Sequence, residues 1–184
     1  MFYLVGLGNP GEEYKESRHN TGKMAVEFFA KKNELSPKKL SIIESKEFMN
    51  NSGRSVAKFI ESKKAAENLV VVYDDIDLPI GTIKISYNKG SGGHRGLESV
   101  GKAVKTKEFT RIRIGIAPTT PSGKVKKPGS GDLPAQAGKK VLDFILGSFK
   151  PTEKEILKKT FKKVSEAIIT IIEDGRERAM NMLF

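Results

Sequence analysis

Five consecutive apolar residues, Leu69-Val70-Val71-Val72-Tyr73, lead without a break into the acidic stretch Asp74-Asp75-Ile76-Asp77. A strand with one wet face alternates apolar and polar side chains, so an unbroken run of this kind must be covered on both faces. It therefore demands a layer above it and a layer below. The chain supplies them in alternation: a β-prone run at residues 2–7, a helical stripe through Met24, Ala25, Val26, Phe28 and Phe29, and a short strand from Leu40 to Ile43. Next come a helix opening near Asn51 with Val56, Phe59 and Ile60 at helical spacing, and a strand from Ile80 to Tyr87. A helix from about His94 to Val104 and a strand carrying Ile112, Ile114 and Ile116 follow. This order predicts an α/β fold, a single-domain three-layer sandwich with a mixed twisted sheet and helices on both faces.

At 184 residues the chain is long enough for one domain with a real core and leaves little room for a second, so residues 1–184 read as one unit. Residues 118–138, rich in Pro, Gly, Ser and Lys, read as a long flexible loop. The last helix is expected to open on a Thr152/Glu155 capping box and to bury Ile156, Phe161, Val164, Ile168, Ile171 and Ile172. No apolar run approaches the roughly 20 residues of a bilayer span, and Met1 to Val5 enter a strand with no basic leader before it. A cytoplasmic protein without membrane partners is expected.

Several chemistries are excluded by what the chain lacks. The absence of cysteine removes disulfides, thiolate catalysis and cysteine-based zinc sites, and two histidines make a multi-histidine metal site unfavoured. No metal and no cofactor are expected. Lysine and arginine exceed aspartate and glutamate by 33 to 22, and the resulting charge of +11 attracts polyanions, of which nucleic acid is the commonest in the cytosol. A lysine-rich solubilising surface is the plainer explanation of the same number.

Gly6-Leu7-Gly8-Asn9-Pro10-Gly11 fits the dinucleotide pattern G-x-G-x-x-G after a strand, but the context fails. The glycines lead into Glu12-Glu13-Tyr14-Lys15-Glu16, where two glutamates would repel a pyrophosphate and no apolar helix face begins. They read instead as a turn that exposes Asn9. Arg18-His19-Asn20-Thr21-Gly22 follows, and His19 is the residue best suited to move a proton near neutral pH. Three more polar clusters end apolar elements: Phe48-Met49-Asn50, Asp74 to Asp77, and Gly92-Gly93-His94-Arg95-Gly96. Strand ends on one edge of an α/β sheet form the crevice in which ligands bind.

Taken together, and in this order, these motifs with Arg111-Ile112-Arg113-Ile114-Gly115-Ile116 resemble the bacterial-type peptidyl-tRNA hydrolase family almost from end to end. The resemblance implies a cytosolic monomer that hydrolyses the ester between peptide and tRNA, recycling tRNA from drop-off products without metal or cofactor. It implies His19 as general base for water and Asp74 as the group that orients it. Asn9 and Asn50 would hold the peptide and the 3′ end, Met49 would pack on the terminal adenosine, and Arg113 would meet a tRNA phosphate; Tyr14 joins the substrate-binding set. The rival reading is a non-catalytic RNA-binding protein on the same scaffold, similar to the chloroplast group II intron splicing relatives of the family.

The chain departs from the family at four places. Arg95 stands where an asparagine usually follows Gly-Gly-His; a guanidinium donates but cannot accept, so Arg95 is expected to swing out to a phosphate or to lower activity. The stretch before Leu40 is shorter by about a hairpin. Ser86 replaces an expected lysine, leaving Lys84 or Lys89 as substitutes, and the longer 118–138 segment offers Lys124, Lys126 and Lys127, though a plain spacer is the simpler reading. His94 is expected to hold the glycine turn rather than to take part in the chemistry.

Overall fold

A computed structural model describes residues 1–182 except 34, 35 and 37. The stretch expected to be shortened therefore lies partly outside the described residues. Strands β1 (Phe2–Gly6), β2 (Leu40–Ile43), β3 (Leu69–Pro79), β4 (Ile83–Tyr87) and β5 (Thr110–Ala117) form one sheet in the order β2-β1-β3-β5-β4. All neighbours are parallel except the antiparallel pair β4 and β5, so the sheet is mixed as expected.

Alternation along the strands sends side chains to two cores. Leu4, Val70, Val72, Ile112 and Ile114 meet helix α1 (Thr21–Lys32) and helix α6 (Pro151–Glu173) on one face. Val5, Leu69, Val71 and Tyr73 meet helix α2 (Ser52–Ala57) and helix α4 (Arg95–Ala103) on the other. This is the three-layer arrangement that the unbroken run at 69–73 requires. Helices α3 (Lys63–Ala66), α5 (Pro134–Leu146) and α7 (Arg176–Asn181) complete the fold. Among the described residues no helix is long and apolar enough to cross a membrane.

Several boundaries differ from the sequence reading. β3 continues past the acidic stretch to Pro79 through a register shift against β5, and β4 begins only at Ile83. The segment expected as loop to 138 ends at 133, because α5 starts at Pro134, whose fixed φ suits a first helical position. The cap of α6 lies two residues earlier than expected: Glu153 Oε2 accepts the Lys150 N–H at 2.6 Å, and Pro151 opens the helix. Leu157 is buried where Ile156 was expected, and Phe59 is exposed beside buried Val56 and Ile60. Arg111, on the polar side of its strand pattern, is fully buried; its guanidinium donates to the carbonyls of Phe109 and Lys89.

Candidate active site

The C-terminal ends of β1, β3 and β5 open onto a cleft of about 900 Å³. Close backbone approach brings His19 there. Gly22, in the first turn of α1, sits so tightly on β3 that a Cβ would collide with Val72 O, and a Cβ on Gly6 would collide with Gly22 O. The helix start is thereby pressed against the two central strands, and the 3-10 turn Arg18–Asn20 just before it lies over Asp74.

His19 Nδ1 lies 3.0 Å from both carboxylate oxygens of Asp74. On the other side His94 Nε2 lies 3.1 Å from Asp74 Oδ1, and His94 Nδ1 accepts the Leu97 N–H at 3.2 Å. The last contact settles the tautomer: a nitrogen that accepts carries no proton, so His94 is protonated at Nε2 and donates to Asp74. An ionised Asp74 accepts only, so His19 is protonated at Nδ1 and its Nε2 has no partner among the described residues. Burial alone would raise the Asp74 pKa, but the positive charges that His19 and His94 take up in acid, together with their hydrogen bonds, outweigh it and hold the carboxyl well below the ordinary range. Tyr73, edge-on to the His94 ring at 4.9 Å, has its hydroxyl pushed up to about 12, chiefly by burial.

The two histidines thus converge on one carboxylate, although His94 was expected only to hold the glycine turn. Their ligand atoms and that of Asp74 lie within 4.8 Å of one another. The N···O separations of 3.0–3.1 Å are hydrogen-bond distances, and His94 Nδ1 is engaged as the cap of α4, so the three side chains form one hydrogen-bonded His–Asp–His set. His94 belongs to the site as well as to the glycine turn it was expected to hold. Its signal was available: it is the only other histidine, and it sits in a Gly-Gly-His turn where Gly92 and Gly93 have φ of 61° and 81°.

The other expected residues are brought to the same cleft, in differing states. Asn9 is buried; its Oδ1 accepts the Met49 N–H at 2.8 Å, while its backbone is clasped by Asn20 in both directions. The amide is thereby oriented with its NH₂ unpartnered among the described residues. Asn50 is exposed without a partner among the described residues, and Met49, at 5% exposure, offers the cleft little surface. Tyr14 stacks edge-on against Phe48 with centroids 6.4 Å apart. Arg113 lines the cleft but its Nε donates to Asp75, a pairing that residue type alone did not reveal. Arg95 lines it too, exposed and without an ion-pair partner among the described residues. Lys89 and the buried, unpartnered Ser86 hydroxyl face the cleft, whereas Lys84 is exposed outside it. Of the loop lysines, Lys127 pairs with Asp77, and Lys124 and Lys126 are exposed.

Comparison with known proteins agrees with this architecture. Residues 3–184 match the family model described as peptidyl-tRNA hydrolase. A peptidyl-tRNA hydrolase of Hydrogenobaculum sp. is 39% identical over 97% of this chain and 95% of its own, and one of Aquifex aeolicus is 34% identical over 96% and 93%. The crystal structure of the peptidyl-tRNA hydrolase from Acinetobacter baumannii superposes with a TM-score of 0.77 at 26% identity, covering 98% of this chain and 93% of that one. Nothing among these relatives supports the non-catalytic RNA-binding reading.

Proposed function

The chain belongs to the peptidyl-tRNA hydrolase family, and from that premise we propose that it cleaves peptidyl-tRNA by direct attack of water, with His19 as general base. It is a hydrolase, and its substrate bond is the ester between the peptide's C-terminal carboxyl and the ribose of tRNA. The observation that carries the mechanism is the 3.0 Å contact of His19 Nδ1 with Asp74, which leaves Nε2 in the cleft with no partner among the described residues.

Water bonds to the ester carbonyl carbon as one of its protons passes to His19 Nε2, and the negative Asp74 stabilises the imidazolium that forms. The Asn9 amide, its oxygen already spent on Met49, donates toward the carbonyl oxygen as charge develops there, and Asn50 holds the substrate beside it. Collapse of the tetrahedral intermediate breaks the bond to the ribose oxygen, which takes back the proton from His19. The products are free tRNA and a peptide carboxylic acid, which ionises in water. Arg95 and Arg113 hold phosphates of the tRNA, Tyr14 and Met49 line the path of its 3′ end, and His94 fixes Asp74. An ester needs no nucleophilic serine or cysteine, and this reaction needs neither metal nor cofactor. The same reading makes the protein a cytoplasmic monomer that recycles tRNA, its +11 charge aiding capture of the polyanion.

The test is release of free tRNA from an N-acetyl-aminoacyl-tRNA. His19→Ala is expected to lower kcat by about 10²–10⁴ with tRNA binding retained. Undiminished release by that variant would falsify the assignment, and tRNA binding without release in the parent would revive the RNA-binding reading.

A further inference from the structure

Helix α5 contains no buried residue, although it is amphipathic. Gly138, Val141, Leu142, Ile145 and Leu146 recur at steps of 3, 1, 3 and 1, which keeps them on one helix face, and all five line the catalytic cleft. An apolar helix stripe ordinarily covers a core; here Ile145, with Phe144, packs partly buried on the core, while Leu142 and Leu146 are left facing the open cleft. Leu142 is 49% exposed and Leu146 37%, and across from them Phe48 is 54% exposed at the end of the turn that carries Asn50. The apolar groups enter from the β1 and β2 side of the sheet and from α5, which packs on the His19 turn. Three of the cations enter from elsewhere: Lys89 follows β4, Arg113 is on β5, and Arg95 opens α4, while α5 contributes Lys139 beside its apolar stripe. Asp74, on the central strand β3, lies between the two sides.

We propose that the wall formed by Leu142, Leu146 and Phe48 binds the side chain of the peptide's C-terminal residue, making the enzyme selective for substrates with an apolar residue next to the ester; this rests on the hydrolase reading above. The occupant follows from charge and continuity. The scissile ester must sit at His19, so its two halves extend to opposite sides. The phosphate-bearing half belongs with Lys89, Arg95 and Arg113, and the uncharged peptidyl half falls to the apolar side. Removing the side chain's apolar surface from water against a wall that is itself half exposed favours that substrate in binding and in the transition state.

The experiment charges one tRNA with N-acetyl-leucine or N-acetyl-glycine and measures kcat/KM for each. In parallel, the Kd values of the matching 3′-amide-linked aminoadenosine conjugates, which lack the labile ester, are measured. The parent is expected to favour leucyl over glycyl by about tenfold in both assays. Leu142→Ser/Leu146→Ser, exposed positions whose folding is checked by thermal midpoint, should bring both ratios to within about twofold of unity, while Leu142→Met keeps them. Ratios near unity in the parent overturn the proposal. So does an equal loss on both substrates in the double variant, which would assign the wall to the nucleoside. Absence of hydrolysis with the Kd preference intact would defeat the hydrolase reading and leave the wall standing.

Discussion

Arg18 and His19 are neighbours on one 3-10 turn, yet they are fastened to opposite kinds of structure. His19 looks inward to Asp74 on the central strand, where every ring nitrogen but one is already engaged. Arg18 looks outward to the corner between α5 and α6: Nη1 donates to Ser148 O at 2.5 Å and Gly147 O at 3.2 Å, and Nη2 to Glu153 at 2.8 Å. Its guanidinium lies between the rings of Phe144 at 4.5 Å and Phe149 at 4.9 Å. The proposed proton-moving pair thus meets on the buried part of the central strand, and the proposed wall hangs largely on a helix with no fully buried residue, held by Arg18 and by Phe144 and Ile145 partly buried on the core. The chemistry needs fixed geometry, whereas a wall that meets many peptides tolerates a looser mount.

Cutting the inner region gives the largest expected effect. Asp74→Asn keeps the shape but lets an amide N–H face His19, favouring the wrong tautomer, and kcat should fall by about 10²–10⁴. The pH dependence sharpens this. Asp74 has its folded pKa depressed, so its contribution to stability is present above the ordinary carboxylate pKa of about 4 and is lost as pH falls below it. The parent's thermal midpoint should therefore drop more steeply than the variant's below pH of about 4, while any acid loss of activity above that pH belongs to another group. Equal slopes in the two proteins would contradict the ionised, doubly bonded carboxylate.

Cutting the outer region should do the reverse. Arg18→Met takes the guanidinium from Glu153, Gly147 O and Ser148 O, leaving Glu153 with only the Lys150 N–H and its charge unpaired, and the expected cost is about 3 kcal/mol of stability, read as a lower thermal midpoint. Because Asp74 and His94 are untouched, kcat on a glycyl substrate should change far less than in Asp74→Asn. A kcat loss as large as that of Asp74→Asn, at a temperature where the variant is folded, would show that the two regions are not separable.

The same contrast governs what could be read in the sequence. β3 was legible because burial on both faces writes itself as an unbroken apolar run, and His19 because a rare residue beside a glycine turn stands out. α5 was not legible: its apolar stripe is short, sits among Gly, Pro and Lys, and is shared between the cleft and the edge of the core. Its only boundary signal is Pro134. The α6 cap was misplaced because Lys150 is not a usual capping residue, so the signal was sought at Thr152 while Glu153 served both the cap and Arg18. Residue types do not name their partners. That is why Arg113 was assigned to a phosphate with no sign that Asp75 meets it, and why His94, 20 positions from Asp74, was assigned only to its own turn.

Arg95 tests the boundary between the two regions with the smallest effect. It stands at the first position of α4, next to His94, yet it is exposed and makes no ion pair among the described residues. A cation at a helix N-terminus opposes the macrodipole by about 0.3–1 kcal/mol, so Arg95→Asn should leave stability unchanged or slightly raised. If the guanidinium holds a phosphate, KM for peptidyl-tRNA should rise a few-fold with kcat nearly constant, and the slope of log KM against log salt should shrink by about 0.7–0.9. If the guanidinium instead bears on His19, kcat should rise and the salt slope should stay as it is, because a nearby cation disfavours the imidazolium that forms during water attack. Unchanged KM, kcat and salt slope together would remove Arg95 from the substrate-binding set.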